Sequence, residues 1–296
     1  VAKLAGFPKC FIEEITNGDM SLSTWIEMAS DLPVDGLELY QGFLKSYNSD
    51  YLSQIKREIN NRGFEMPMMC YSPDFTCPDA ADRKREVAKQ CDVIKTTAEL
   101  GGLYCRVLSG QKRPEISVED GVKWVVESIC SCLETAEQYN IVLVMENHYK
   151  DPFWAYPEFA QRSDIFNAII KKITSPYFGV QFDPSNSIVA GEDPLELLEQ
   201  VKDRVRTMHA SDRYLALGAT LEELKQSDGT IGYSTSLMHG VIGKGLNDYD
   251  AIFRTLRDTG FSGWISIEDG MNGLEEIRES ALFLRAKMHE YGLDKN

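Results

Sequence analysis

Eight times along this 296-residue chain a short apolar run is followed by a longer segment with helical spacing. Strict alternation of this kind implies parallel strands, because each helix must return the chain to the start of the next strand. The runs are Lys9–Ile12, Gly36–Tyr40, Phe64–Tyr71, Leu103–Leu108, Ile141–Met145, Tyr177–Phe182, Arg204–Met208 and Gly263–Ile267. The first is weak, and Pro67 weakens the third by removing a ladder donor. Helical spacing covers a stretch opened by Ser21, then Tyr51–Arg62, Asp79–Leu100, Val118–Tyr139, Pro157–Ile173, Asp193 to Val201, Asp248–Thr259 and Leu274–Tyr291. Gly63 and Gly101-Gly102 read as helix stops. Asp193-Pro194-Leu195-Glu196 reads as a start, with a cap, a proline in the first turn and an acid in register. No linker or composition break divides the chain, so one domain over residues 1–296 is expected. Eight such units fit an α/β fold of the closed (β/α)8 TIM-barrel type better than an open doubly wound sheet.

A barrel gathers all eight strand carboxyl ends at one mouth, and the last four runs end in ionisable residues. Ile141–Met145 runs into Glu146-Asn147-His148, Tyr177–Phe182 into Asp183, Arg204–Met208 into His209, and Gly263–Ile267 into Glu268. Three carboxylates and one imidazole make an oxygen-rich set with one nitrogen. That donor set suits one divalent ion, Mn²⁺ first, and admits Mg²⁺, Co²⁺ or Zn²⁺. An open sheet would spread these strands too widely for a shared ion, so the metal expectation and the barrel expectation stand together.

Other polar residues fall near the same mouth. His148 either lines the pocket as an acid or base or caps its loop, and His239 has the same two readings. His289, near the end of the last helix, reads as exposed. Arg106 lies on a barrel strand, where it either meets a substrate hydroxyl or carboxylate or pairs with Glu38 or Glu146. Asp212-Arg213 is either a local ion pair or a support that orients His209. Gly243-Lys244-Gly245 lacks phosphate-loop spacing and reads as a turn. From Ser211 to Leu246, after the seventh strand, the connection is far longer than usual, which suggests a lid or substrate wall. Thr220-Leu221-Glu222-Glu223 inside it looks like a capping box that starts a short helix.

The net charge of -15 and pI near 4.8 speak against nucleic-acid or anionic-membrane partners, since a broad phosphate surface would go unneutralised. No apolar run approaches the roughly 18 residues of a membrane span, and Val1–Phe7 lacks the long apolar region of a signal peptide. The seven cysteines show no C-x-x-C spacing; Cys130 and Cys132 would point to different faces of a helix. Reduced thiols and a cytoplasmic location are the expectation.

Several segments resemble the xylose-isomerase-like barrel superfamily, in particular its sugar phosphate isomerase/epimerase branch. They are Asp35-Gly36-Leu37-Glu38-Leu39, Met145-Glu146-Asn147-His148, Gly179-Val180-Gln181-Phe182-Asp183-Pro184-Ser185-Asn186, Met208-His209-Ala210-Ser211-Asp212, Gly243 to Tyr249, and Gly263 to Glu268. The resemblance implies metal ligands at Glu146, Asp183, His209 and Glu268, with the two glutamates doubling as acid and base on opposite faces of a substrate carbon. It implies an isomerase or epimerase of a sugar or keto-sugar, working by proton abstraction beside a metal-bound carbonyl through an enediolate. Arg106, Asn186, Asp212, Arg213 and His239 would then line the substrate wall. Many ketose epimerases carry histidine where this chain has Asn186, and the loop after His209 is longer than in the small epimerases. Both departures touch the substrate wall. The alternative is a lyase of the same fold, such as an inosose dehydratase or an enzyme cleaving 3-keto-glycosides, with His148 as the proton-abstracting base. A non-catalytic sugar-binding barrel is the third reading. The superfamily's DNA-repair endonuclease is disfavoured by the acidity of the chain and its four histidines. Carbohydrate is the expected partner, and barrels of this kind often form homo-oligomers.

Overall fold

The computed structural model describes residues 1–220, 223 and 236–295. Its parallel strands are β1 (Lys3–Gly6), β2 (Gly36–Leu37), β3 (Leu39–Tyr40), β4 (Met68–Cys70), β5 (Tyr104–Val107), β6 (Val142–Glu146), β7 (Phe178–Phe182), β8 (Val205–Ala210) and, after a small hairpin, β11 (Trp264–Ile267). They pair in the order β2-β1-β11-β8-β7-β6-β5-β4-β3. The two ends of that series are consecutive in the chain and separated by Glu38 alone. β2 pairs with β1 (Leu37 with Gly6) and β3 with β4 (Leu39 with Met69), so they are two halves of one stave. The sheet therefore closes as the expected eight-stave barrel, with its ladder interrupted at Glu38.

Alternation along each strand sorts the side chains into two populations. Leu37, Leu39, Met69, Cys105, Val107, Leu143, Met145, Val180, Phe182, Met208, Ala210, Ile265 and Ile267 face the helices and belong to one continuous apolar core. The alternate positions point into the barrel. At its floor Met68, Cys70 and Val144 form a small separate cluster. Above them the same parity delivers Glu38, Arg106, Glu146, Asp183, His209 and Glu268, all buried.

The outer helices are α1 (Ile12–Asn17), α2 (Leu22–Met28), α3 (Ser49–Asn61), α4 (Ala80–Leu100), α5 (Val118–Gln138), α6 (Ser163–Ile170), α7 (Pro184–Val189), α8 (Pro194–Val201), α9 (Tyr249–Asp258) and α10 (Leu274–Glu290). Ser21, Asn48, Asp79, Ser117, Asp193 and Asp248 each accept a bond from a first-turn N–H, worth about 1 kcal/mol apiece. Gly101 ends α4 at φ 93°, a left-handed conformation that glycine takes without steric cost.

The first strand lies earlier than the sequence suggests. It is Lys3–Gly6, while Lys9–Phe11 forms a 3-10 turn. Small residues such as Ala5 and Gly6 give a strand little side-chain signal, and Pro8 stops the ladder by lacking a donor. This correction moves Lys9 from the start of a strand to the barrel mouth. The third strand is shorter than Phe64–Tyr71, starting just after Pro67. The helix expected over Pro157–Ile173 is confined to Ser163–Ile170. Ahead of it, Glu158 reaches back to the backbone N–H and hydroxyl of Ser109, and Phe159 N–H bonds to Gly110, so this stretch is held against the loop after β5.

In the long connection β9 (Arg213–Leu215) and β10 (Leu237–His239) form an antiparallel hairpin. Thr220 and Glu223 exchange the two expected capping-box bonds. The helix expected to follow them, like Gly229 and Gly232, lies outside the described residues.

Candidate metal centre

The four expected ligands converge. One donor atom each from Glu146, Asp183, His209 and Glu268 lies within 4.8 Å of the others, and all four residues are buried. His209 Nδ1 is 3.0 Å from Glu146 Oε1 and 3.4 Å from Glu268 Oε2. Its other nitrogen, Nε2, is 2.7 Å from Glu38 Oε1. With a carboxylate behind the imidazole at Nε2, Nδ1 would be left to ligate an ion at the centre, the usual arrangement of metal-ligating histidines. Cys70 Sγ, 2.9 Å from the same Glu38 oxygen, helps to fix it.

Asp183 caps α7 while serving the site. Its Oδ1 accepts from Asn186 N–H at 3.1 Å and from Ser211 Oγ at 2.7 Å. Asn147 clamps the Asp183 backbone from both sides, accepting its N–H and donating to its carbonyl. Burial and the charges of Glu268 and Glu146 push the Asp183 carboxyl up to about 7. That is the signature of more negative charge in one place than the fold neutralises, and a divalent cation would supply what is lacking. The donor set fits such an ion.

The two glutamates share one arrangement. Each turns one oxygen toward His209 and gives the other to a fixed cation. Glu146 Oε2 is 2.8 Å from Arg106 Nη1, and Glu268 Oε1 is 2.9 Å from Lys9 Nζ. Burial opposes the charge on Glu146, but His209 and Arg106 prevail and hold it down at about 2. Burial likewise opposes the charge on Glu268, and Lys9 followed by His209 holds it well below its usual range. Arg106 also donates to Ser72 Oγ at 3.1 Å, so it pairs with Glu146, one of the alternatives open at the sequence level.

His148 is buried beside Tyr149, ring centroids 5.1 Å apart. Its Nδ1 is 3.6 Å from Glu158 Oε2. Burial lowers its basicity, while Glu158 and Glu146 raise it further, so its pKa ends above the ordinary value. Asn186 Nδ2 is 3.3 Å from Glu146 Oε1. Arg213 and His239 are cross-strand partners in the hairpin. His239 Nδ1 is 3.1 Å from Asp269 Oδ1. Burial, then Arg213 and Lys9, push this imidazole down to about 3, so the contact is a hydrogen bond of a neutral ring rather than an ion pair.

Asp212 is held by its own loop. Its carboxylate accepts from the backbone N–H groups of Arg213, Gly243, Gly245 and Asn247. Gly243-Lys244-Gly245 is therefore an anion cradle after all, filled by the protein's own Asp212. A Cβ on Gly245 would collide with that carboxylate. His289 is exposed and pairs with Asp294.

Glu38, Lys9, Asn147 and Glu158 were not singled out from the sequence as site residues. Glu38 had a usable signal, since it interrupts an apolar run with the parity of the barrel interior. Lys9 was hidden by the misplaced first strand.

The xylose isomerase-like TIM-barrel family model matches residues 26–287. This chain belongs to that family. Among solved structures, a D-tagatose 3-epimerase-like protein superposes with a TM-score of 0.76 at 18% identity, over 98% of both chains. The IOLI protein with a bound zinc atom gives 0.71 at 18% identity, over 98% of this chain and 97% of that one. These likenesses establish the fold. In sequence, 3-oxo-isoapionate decarboxylase of Pectobacterium atrosepticum is 32% identical over 121 residues, 41% of this chain and 36% of the relative. An inosose dehydratase of Lacticaseibacillus casei is 29% identical over 87 residues, 29% of this chain and 28% of the relative. The matches thus span about a third of those curated relatives. These relatives and fold neighbours include proteins named for epimerase-like, decarboxylase and dehydratase activities. No helix among the described residues is long and apolar enough to cross a membrane.

Proposed function

We propose that this chain is a divalent-metal-dependent lyase of a keto-sugar. Glu146, Asp183, His209 and Glu268 hold the ion. When bound, the ion polarises the carbonyl and stabilises the charge that develops as the neighbouring carbon gives up its proton. The observation that favours a lyase is the pairing of both glutamates with fixed cations, Arg106 and Lys9. A carboxylate so paired is a weak base, and a two-glutamate exchange needs both to take and return a proton. His148 is the better base. Glu158, itself fixed by Ser109, faces its Nδ1 and leaves Nε2 for the substrate. Removal of the proton by His148 and departure of a group from the next carbon give an elimination. The sequence relatives named for a decarboxylase and a dehydratase support this reading.

Isomerisation or epimerisation of a keto-sugar is the second reading. It is supported by the placement of Glu146 and Glu268 on well-separated staves with an inner oxygen each, and by the epimerase-like fold neighbour. Mn²⁺ remains the preferred ion on donor chemistry, although a fold neighbour is named for zinc. Incubation of Mn²⁺-loaded protein with 3-keto-glycosides and inososes in D₂O separates the readings. The lyase predicts loss of water from the inososes or of an aglycone from the 3-keto-glycosides by mass spectrometry, abolished in His148→Ala. Deuterium gained at unchanged skeleton mass would instead establish the isomerase. No exchange and no mass change with any ion would leave a non-catalytic sugar-binding barrel.

A further inference from the structure

Arg213 is only 3% exposed. Among the described residues no carboxylate lies within ion-pair distance of its guanidinium, and its buried Nε finds no hydrogen-bond acceptor. The contact recorded for it is with the ring of Tyr149, 5.6 Å from the centroid. A buried cation without a counter-ion is unfavourable, and folds keep one where a ligand supplies the missing charge. The adjoining Asp212 carboxylate is no substitute, because backbone N–H groups of its loop take up both oxygens.

Strand parity shows which way Arg213 faces. In the β9–β10 hairpin, Arg213 stands beside His239 on the covered face, while Tyr214 and Met238 lie on the exposed face. The covered face meets the end of β11, where His239 bonds to Asp269, the neighbour of Glu268. Lys9 Nζ, bonded to Glu268, lies there too, near enough for the charges of Lys9 and Arg213 to disfavour each other. Two cations are thus gathered on the Glu268 side of the mouth, across the barrel from Arg106. An ion held by the four ligands would draw on the Glu268 charge and leave Lys9 less well neutralised.

We propose that Lys9 and Arg213 form a subsite for a carboxylate, so that the substrate is an acidic keto-sugar rather than a neutral one. The inference rests on the reading of the centre as a keto-sugar site and adds the charge of its ligand. A phosphate is the poorer fit. The N–H cradle of Gly243 and Gly245, the local feature suited to one, already holds Asp212.

Calorimetric titration of the Mn²⁺-loaded protein with glucuronate, glucose and glucose 6-phosphate tests this. Glucuronate should bind at least about tenfold more tightly than glucose, the scale of one charge-assisted contact. Arg213→Gln should abolish the preference, and Lys9→Gln, on a solvent-touched turn, should reduce it even if the first variant folds poorly. Equal affinity for glucuronate and glucose overturns the proposal. So does a preference that survives both substitutions, which would mean direct binding to the ion, or glucose 6-phosphate binding as tightly as glucuronate. Solvent-deuterium exchange into acidic and neutral keto-sugars keeps the two ideas apart. Exchange without acid preference removes the subsite and retains the enzyme, whereas acid preference without exchange or mass loss does the reverse.

Discussion

The two glutamates at the centre look alike from the ion's side and differ behind it. Arg106, the partner of Glu146, rises from β5, is buried, and is tied to Ser72 as well. Lys9, the partner of Glu268, sits on a 3-10 turn after β1 with 15% of its side chain exposed. One flank is a rigid stave and the other a solvent-touched turn beside Arg213, which has no ion-pair partner among the described residues. Rigid elements fix ligand geometry, while loops at a barrel mouth select the substrate. The Glu146 flank therefore reads as support and the Glu268 flank as recognition.

The largest effect that could break this contrast is on turnover. Glu146→Ala and Glu268→Ala should each lower kcat/KM on the order of 10³-fold, since both inner oxygens ligate the ion. Retention of activity by either variant with its ion bound would remove that glutamate from the centre. Next comes stability without metal. Arg106→Met strips the outer oxygen of the fully buried Glu146 of its cation, with only His209 left beside the inner one, and should cost about 3 kcal/mol in urea unfolding. Lys9→Met, at the solvent-touched flank, should cost about 1.5 kcal/mol. Equal costs would mean that the two flanks are equally structural.

Glu38→Gln should weaken divalent-ion binding by about 10–100-fold while leaving the fold intact, because it loosens His209 without removing a ligand. Titration with Mn²⁺ measures it, and unchanged affinity would show that the imidazole needs no support from behind.

The smallest effect is a pH slope. Burial lifts both Asp183 and Asp269 from 3.8 to about 7. A raised carboxyl favours the folded state while protonated, so its contribution is present below about 4 and lost as pH climbs to about 7. Glu146, held at about 2 against an ordinary 4.5, acts oppositely but only below about pH 4.5. His239, held at about 3 against an ordinary 6.5, offsets one of the two carboxyls below about pH 6.5, so metal-free protein should show a shallow net loss of thermal stability between about pH 4.5 and 7. Bound divalent ion should flatten the slope by taking the place of the proton on Asp183. A metal-free melting temperature that rises through this window contradicts the assignment of excess negative charge.

Much of this architecture was readable from the chain because strand and helix periods are local. Asp79, Asp193 and Gly101 marked helix ends through chemistry confined to a few residues, and the structure places ends there. Glu146, Asp183, His209 and Glu268 were legible because each ends an apolar run, and closure of the barrel brings such ends together. Where a long-range contact outweighed local propensity, the reading failed. Glu158 is drawn to Ser109 and shortens the following helix, and Asp212 is captured by the Gly243–Asn247 backbone.

The sequence by itself determined the barrel and the four ionisable run ends that its mouth brings together, because alternation and run-end chemistry need no knowledge of distant partners. Only the tertiary structure decided that Glu38 stands behind His209, that Arg106 and Lys9 hold the outer glutamate oxygens, and that Arg213 is buried without a counter-ion among the described residues. Those pairings join residues on different staves and loops. Burial and charge matching act through space, and nothing in the order of residues states which of many acids and bases will meet.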